Sequence, residues 1–449
     1  MSTVCRVLAA FAVALLFGYD VAWADKAPED IRDAEIESTL RLYYTPIFKA
    51  AGLDPAAVHV YIINDPQPNS FVAGGQNIFI NTGTIMRSET PNQLVGIVAH
   101  ETGHIAGGHL IRTQEALRDA SIESIIALVA GAAAGAAGHN LGAGVLGAQG
   151  VGLRSFLTFS VAQEATADQA ALNFLDKTHQ SARGLLQFFQ ILQGTELLTG
   201  VHETPYLRTH PLTQQRIDYV RNHVEHSPYS DVPDPPEWVE LHKRMKAKLI
   251  AFLGAPSETL RLYPPSDRSI AARYARAIAE YRIPDLKKAV ADIDGLIKDE
   301  PRNPYFEEMK GQMLFENGHV RDALEPYRQA VRLAPDVALL KVELGQVEIE
   351  TEDPALLADA LANLRSAAIY ENRNPQVWHF LAVAYGRSND MGNATLALAE
   401  ESMANGDAKT ALGQADRAMH MLPFGSPGQL RAQDIKFAAE RAIKEAKDR

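Results

Sequence analysis

From about residue 268 onward the chain repeats itself every 34 residues, and a period of that length constrains the fold more than any other feature. Gly311, Ala323, Tyr327, Ala330 and Pro335 occupy small, small, aromatic, small and proline positions, and 34 residues earlier Ala277, Ala289, Ile293, Leu296 and Pro301 fall at the same phases. After Gly345 about three extra residues near Asp353–Leu357 interrupt the period. It resumes with Trp378, Leu381, Ala382, Tyr385 and Ala394, and a weaker unit runs through Ala411, Ala418 and Pro423. A helical hairpin of this length cannot bury its own apolar face, so successive hairpins must stack into a curved array with a concave face for binding. A plain helical bundle has no reason to recur at a fixed interval.

Those phases are the pattern of a tetratricopeptide (TPR) unit. The repeats fill less than half of the 449 residues, so at least one further domain precedes them. A sequence that is 46% hydrophobic and 22% charged is ordinary for a globular protein. A formal net charge of −12 argues against a nucleic-acid partner. The opening "MSTVCRVLAAFAVALLFGYDVAWADK" reads as a secretory signal: Arg6 precedes the apolar run Val7–Tyr19, and Ala22-Trp23-Ala24 offers a small-x-small cleavage site. The alternative is a retained anchor, for which that run is short of the ~20 apolar residues a spanning helix needs. The chain's one cysteine, Cys5, lies inside this leader, and a mature chain without thiols is compatible with an oxidising compartment. From Asp25 to about His226 the pattern is mixed α/β, with β-rich runs at Val58–Asn64 and Gln76–Asn81. The second run reads either as an edge that pairs with an extended substrate or as an interior strand. "HSPYSDVPDPPEW", His226–Trp238, reads as a linker.

Within the first domain, "NQLVGIVAHETGHIAGGH" carries the chemistry. Thr90-Pro91-Asn92-Gln93 is a capping box with proline at the first helical position, so a helix starts there. His100 and His104 are one turn apart on one face and can bite a single tetrahedral ion. Glu101 is rotated about 100° from that pair, beside the ion, where a general base takes a proton from water. A catalytic zinc needs a third protein ligand and an open position. Six residues after His104 stands Leu110, which cannot ligate. His109 points away from the pair on a continuing helix, and only a break at Gly107-Gly108 would bring it round, so it reads as a non-ligand. The better third ligand is Glu164 in "FSVAQEATADQAALNFL". Ser160-x-x-Gln163 reads as a second capping box, and Glu164 and Asp168 are one turn apart on the helix it starts. Asp168 can accept the free ring N–H of a ligating histidine. The competing reading is an acidic pair on a solvated face. Between the two helices, the Ala/Gly-rich stretch Ser124–Leu153 reads as a close-packed hairpin, with a movable lid as the alternative.

His100-Glu101-Thr102-Gly103-His104 with Gln163-Glu164-x-x-Ala167-Asp168 resembles the HtpX-type gluzincin metallopeptidases. So do Asn69-Ser70-Phe71, Gly75, the strand "NIFINTG" and the later "THPLTQQRI", over roughly Val58 to Tyr219. The resemblance implies one zinc per chain held by His100, His104 and Glu164, with Glu101 as base and acid and Arg216 supporting the site. It also implies that His210 lies near the metal, as a transition-state stabiliser or as a fourth, self-inhibiting ligand. Val161 and Thr166 stand where that family often has a basic and an acidic residue; neither is a ligand. The fold expected is an α+β zincin-like metalloprotease domain followed by an all-α TPR solenoid. Residues 1–24 are the signal, 25–225 the zinc metallopeptidase domain, 226–268 a linker with a helix and 269–449 the TPR domain.

The layout of leader, peptidase and TPR tail is most similar to periplasmic members of that group that serve outer-membrane protein assembly. It implies a periplasmic endopeptidase whose substrates are unfolded or misassembled outer-membrane proteins. The TPR array would dock the barrel assembly machinery, and peripheral association with a membrane is compatible with this layout. The rival is a non-enzymatic or latent chaperone or adaptor in which the zinc site is structural or blocked by His210.

Overall fold

The computed structural model describes residues 30–109, 161–199 and 205–448. The leader at 1–24, the Ala/Gly-rich stretch Ser124–Leu153 and the Ser160 cap therefore lie outside the described residues. Among the described residues no helix is long and apolar enough to cross a membrane.

The first half folds as a small sheet flanked by helices. Strand β1 (Asp30–Ile31) leads into helix α1 (Ala34–Ala50), followed by β2 (His59–Ile63), β3 (Ser70–Ala73) and β4 (Asn77–Asn81). The strands lie in the order β1-β2-β4-β3, with β1 antiparallel to β2, β2 parallel to β4 and β4 antiparallel to β3. Of the two readings of Gln76–Asn81 the interior strand holds, because β4 pairs on both sides. The stretch before it contains a further strand, β3, which forms one edge of the sheet in the described fold. Phe71 of β3 stacks on Phe79 of β4 with ring centroids 4.8 Å apart, a cross-strand aromatic pair that fixes their register.

Short helix α2 (Thr82–Arg87) precedes α3 (Pro91–Ala106), the helix that carries His100 and His104. Its start is at Pro91 as expected, but the capping box is only half formed. The Thr90 side chain caps nothing, while Gln93 reaches back to accept the Glu89 N–H at 2.8 Å. From Pro91 to His104 every residue of α3 is buried, so the helix is wrapped on all sides, as a core helix should be. Around it stand α4 (Val161–Lys177), α5 (Arg183–Thr199), α6 (Pro205–Thr209) and α7 (Gln214–His226). Tyr44, Phe48, Val95, Val98, Leu185 and Phe189 lie in this core.

Helix α8 (Pro236–Leu253) begins at the end of the proline-rich stretch His226–Trp238, inside the region 226–268 expected to be a linker with a helix, yet it is more than a tether. Met245 and Leu249 belong to the first core and Ala247 and Ala251 to the second, so one helix serves both. After α9 (Pro256–Leu262) come ten helices: α10 (Ile270–Arg282), α11 (Leu286–Asp299), α12 (Pro304–Glu316), α13 (Val320–Leu333), α14 (Ala338–Glu350), α15 (Leu357–Ala368), α16 (Pro375–Arg387), α17 (Met391–Ala404), α18 (Ala408–Met421) and α19 (Pro427–Asp448). The first helices of successive pairs start at Ile270, Pro304, Ala338, Pro375 and Ala408, intervals of 34, 34, 37 and 33 residues. The long interval holds the extra 3-residue 3₁₀ turn Pro354–Leu356. Asn303-Pro304 and Asn374-Pro375 start their helices alike: the asparagine accepts a backbone N–H two residues on, and proline sits at the first helical position. Within a pair, the small position meets the aromatic one. A Cβ on Gly311 would come within 2.7 Å of the Tyr327 ring, so glycine is what lets α12 and α13 close together. This is a TPR-like solenoid by its own spacing and packing.

Candidate metal centre

Two helices bring the chemistry together. On α4 the buried residues are Glu164, Ala167, Asp168 and Ala171, an i, i+3, i+4 face, while Ala165, Thr166 and Gln169 are exposed. The two acids are therefore turned inward, and the solvated-face reading falls. On α3 a Cβ at Gly103 would lie 2.7 Å from the carbonyl oxygen of Ala167. Only glycine permits that approach, which seats Glu164 over the histidine pair.

His100 Nε2 and His104 Nε2 are 3.1 Å apart. Glu164 places Oε2 3.4 Å from the first and Oε1 3.2 Å from the second. His210, at the end of α6, joins them: one donor atom from each of His100, His104, Glu164 and His210 falls within 4.8 Å of the others. The ring of His210 lies 5.4 Å from those of both His100 and His104. It stacks on Tyr206 at 4.6 Å, its Nδ1 lies 2.8 Å from Thr209 Oγ1, and it is fully buried, which excludes a surface-loop histidine. Its Nε2 is 3.6 Å from Glu101 Oε2.

A second layer holds the first. His100 Nδ1 is 2.9 Å from Asp168 Oδ1, an ion-pair contact that favours a proton on Nδ1 and leaves Nε2 free to bind. Arg216, on α7, grips Asp168 with Nε at 2.6 Å and Nη2 at 2.9 Å. Its Nη1 reaches Glu164 Oε2 at 2.5 Å and donates to the Pro211 carbonyl at 2.8 Å. The guanidinium lies 5.2 Å over the Phe189 ring.

The electrostatics are lopsided. Burial works against ionising the acids, yet His210, His100 and His104 together hold Glu101 below the ordinary glutamate range. Against the same burial, His210 and His100 hold Glu164 far below it, and Arg216 and His100 keep Asp168 ionised. Burial also opposes charge on His100, but Glu164 and Asp168 prevail and carry its imidazole up to about 10. His104, desolvated and next to two other imidazoles, is pushed down to about 3. With the imidazoles neutral, as ligands must be, three buried carboxylates face one guanidinium. A divalent cation would balance the two negative charges left over, and an apolar core would not. The donor spacings agree. Tetrahedral ligands at zinc bond lengths stand about 3.3–3.6 Å apart, against the 3.1 to 3.4 Å found here. The residues fit a divalent metal.

Beyond the residues expected, the structure adds His109, which reaches the back of His104, and Thr166, which touches His109. It also adds Tyr206 beneath His210. The Gly107-Gly108 pair is the available signal for the first of these. No periodicity marks Tyr206.

Residues 31–224 match the family model Peptidase family M48. That match spans the sheet, α3 and the helices around it. Over 388 residues the chain is 24% identical to the beta-barrel assembly-enhancing protease of Yersinia pestis, covering 83% of this chain and 77% of that one. It is 20% identical over 406 residues to the protein of the same name from Escherichia coli (strain K12), covering 86% and 79%. These alignments run beyond residues 31–224 into the repeats. A solved thermophilic TPR protein of Thermus thermophilus aligns over 45% of this chain and 98% of its own, at 19% identity and a TM-score of 0.26. At that score the repeat assignment rests on the helical spacing and not on the overlay.

Proposed function

We propose that this chain is a periplasmic zinc-dependent endopeptidase acting in quality control of outer-membrane protein assembly, with zinc held by His100, His104 and Glu164. One observation carries the peptidase reading: the Glu101 carboxylate, wholly buried and kept ionised by His210, His100 and His104, lies 3.6 Å from His210 Nε2, one of the four clustered donors. A divalent ion bound there supplies a Lewis acid that polarises the scissile carbonyl and acidifies the attacking water. Glu101 takes the proton from that water and returns it to the leaving amine. Asp168 holds the His100 ring in the ligating tautomer, and Arg216 fixes both acids of α4 at once. The location, the outer-membrane protein substrates and the docking role of the TPR array are supported by the names of the relatives and by the leader-like start of the sequence.

The position of His210 favours a second reading, a latent or chaperone-like form. Its imidazole sits among the donors and against Glu101, and none of the side chains of His100, Glu101, His104, Glu164 and His210 is exposed. Casein degradation by the mature chain separates the readings. Wild type should cleave, and Glu101→Gln and chelation should each lower turnover by about 10²-fold or more. Equal, chelator-resistant turnover by both chains would sink the peptidase proposal. His210→Ala should keep its zinc. If His210 blocks the site, turnover of that variant rises; if His210 stabilises the transition state, turnover falls.

A further inference from the structure

His104 is set up differently from its partner. His100 has a carboxylate behind it, whereas the atom behind His104 Nδ1 is another imidazole nitrogen, His109 Nδ1, at 3.0 Å. The chain reaches this arrangement through a local device. Helix α3 ends at Ala106, Gly108 adopts φ of +65°, and the His109 N–H donates to the His104 carbonyl at 3.1 Å. That turn closes the helix in the manner of a C-cap glycine and swings His109 back over the last turn. The ring then lies across Gly107, where a Cβ would come within 2.7 Å of His109 Nε2.

The hydrogen-bond polarity of this chain of groups follows once the Thr166 proton is placed on the Gln163 carbonyl. Thr166 donates its hydroxyl proton to the Gln163 carbonyl at 2.9 Å, so Thr166 Oγ1 accepts from His109 Nε2 at 3.2 Å. A neutral His109 with its proton on Nε2 presents a lone pair at Nδ1. His104 must then donate from Nδ1, which leaves the lone pair of His104 at Nε2, the atom that faces His100 Nε2 and Glu164 Oε1. Each proton in the sequence is fixed by the next acceptor, and the last acceptor is a backbone carbonyl of α4. The link also runs between the two helices that supply the donors.

We propose that His109, oriented by Thr166, is a positioning residue that holds His104 in the tautomer able to bind the metal. This rests on the metal-site reading above. A neutral acceptor suits the place: the site already buries three carboxylates, and an acid behind His104 would add a fourth negative charge.

The test is the zinc dissociation constant of the mature full-length chain, measured by competition with a chromophoric chelator, beside the melting temperature of the metal-free chain. His109→Ala should weaken zinc binding about 10- to 100-fold, the usual cost of losing such a partner. His109→Asn, which keeps an acceptor at the Nδ1 position, should retain most of the affinity. Thr166→Val should lose less than His109→Ala. Gly107→Ala provides a probe that leaves every ligand and His109 in the sequence. Its φ of −75° suits alanine, yet the added methyl must push the His109 ring aside, so it should mimic His109→Ala. Metal-free melting temperatures should be close throughout. If wild type binds zinc and both His109→Ala and Gly107→Ala bind as tightly, the inference is wrong while the metal site stands. If His109→Asn is as weak as His109→Ala, the effect is packing and the inference is equally wrong. A wild-type chain that takes no zinc removes the metal-site reading itself.

Discussion

At the scale of single residues, Asp168 shows what spacing makes legible and what it does not. Its place one turn after Glu164 is readable from the sequence, because residues four apart share a helix face. That the face is buried is a tertiary fact, set by Gly103 and by the wrapping of α3, and no pattern within α4 announces it. His109 is misread for a related reason. Extrapolating α3 past Ala106 points its ring away, and only the turn made at Gly107-Gly108 reverses it. Asp168 accepts from two nitrogens of Arg216, one on each oxygen, and lies 2.9 Å from His100 Nδ1, so its carboxylate is committed on both sides. Asp168→Asn replaces one acceptor by a donor that must face either an imidazole N–H or a guanidinium. We expect zinc affinity to drop about 10- to 100-fold. Far-ultraviolet circular dichroism should be unchanged. Retention of wild-type affinity would show that the ring of His100 is held by packing alone.

At the scale of elements, the helices and their starts are largely readable, and the sheet only in part: β2 and β4 fall in the β-rich runs expected, β1 and β3 do not. The 34-residue period places five helix pairs, and the extra residues expected near Asp353–Leu357 are the 3₁₀ turn. Strand β3 is hidden because Pro66, Pro68, Asn69 and Ser70 carry turn chemistry right up to its first residue; cross-strand pairing of Phe71 with Phe79 overrides it. The contact of α3 with α4 decides whether a site exists. Gly103→Ala puts a methyl 2.7 Å from a backbone oxygen that cannot rotate away, so the helices must part. Overpacking of this kind costs about 1–3 kcal/mol. The shift also carries Glu164 away from the histidines. Gly194→Ala is the control, since a Cβ in that helix interior meets nothing within 4 Å. It should be neutral or stabilising by up to about 1 kcal/mol. Urea unfolding with zinc analysis reads both. A Gly103→Ala chain that keeps its zinc and its midpoint would refute the close-approach argument.

At the scale of the whole molecule, the first domain and the repeats are joined by a buried ionic cluster rather than by a tether. Lys248 of α8 extends its ammonium to Asp33 at 2.8 Å, Glu35 at 3.5 Å and Glu308 at 3.6 Å. Arg244 of the same helix pairs with Glu35, and Tyr274 of α10 donates to Glu35 at 3.1 Å. The first turn of α1, helix α8 and the repeat helices α10 and α12 thus meet in one network, which no reading of α8 as a linker anticipates. Glu308 is the odd member. Its burial, with Asp33 and Glu35 close by, outweighs Lys248 and pushes its carboxyl up to about 8. Between the ordinary glutamate value of 4.5 and 8, the folded chain keeps a proton that the unfolded chain has released. The stability this contributes is fully present below 4.5 and is lost as pH rises through 8. Glu308→Gln stays neutral in both states and removes that slope. Urea midpoints measured from pH 5 to 8 should therefore fall more steeply for wild type than for Glu308→Gln, so that the variant gains on wild type as pH rises. Parallel curves would mean that Glu308 is ionised in the folded protein, with Lys248 holding all three acids at once.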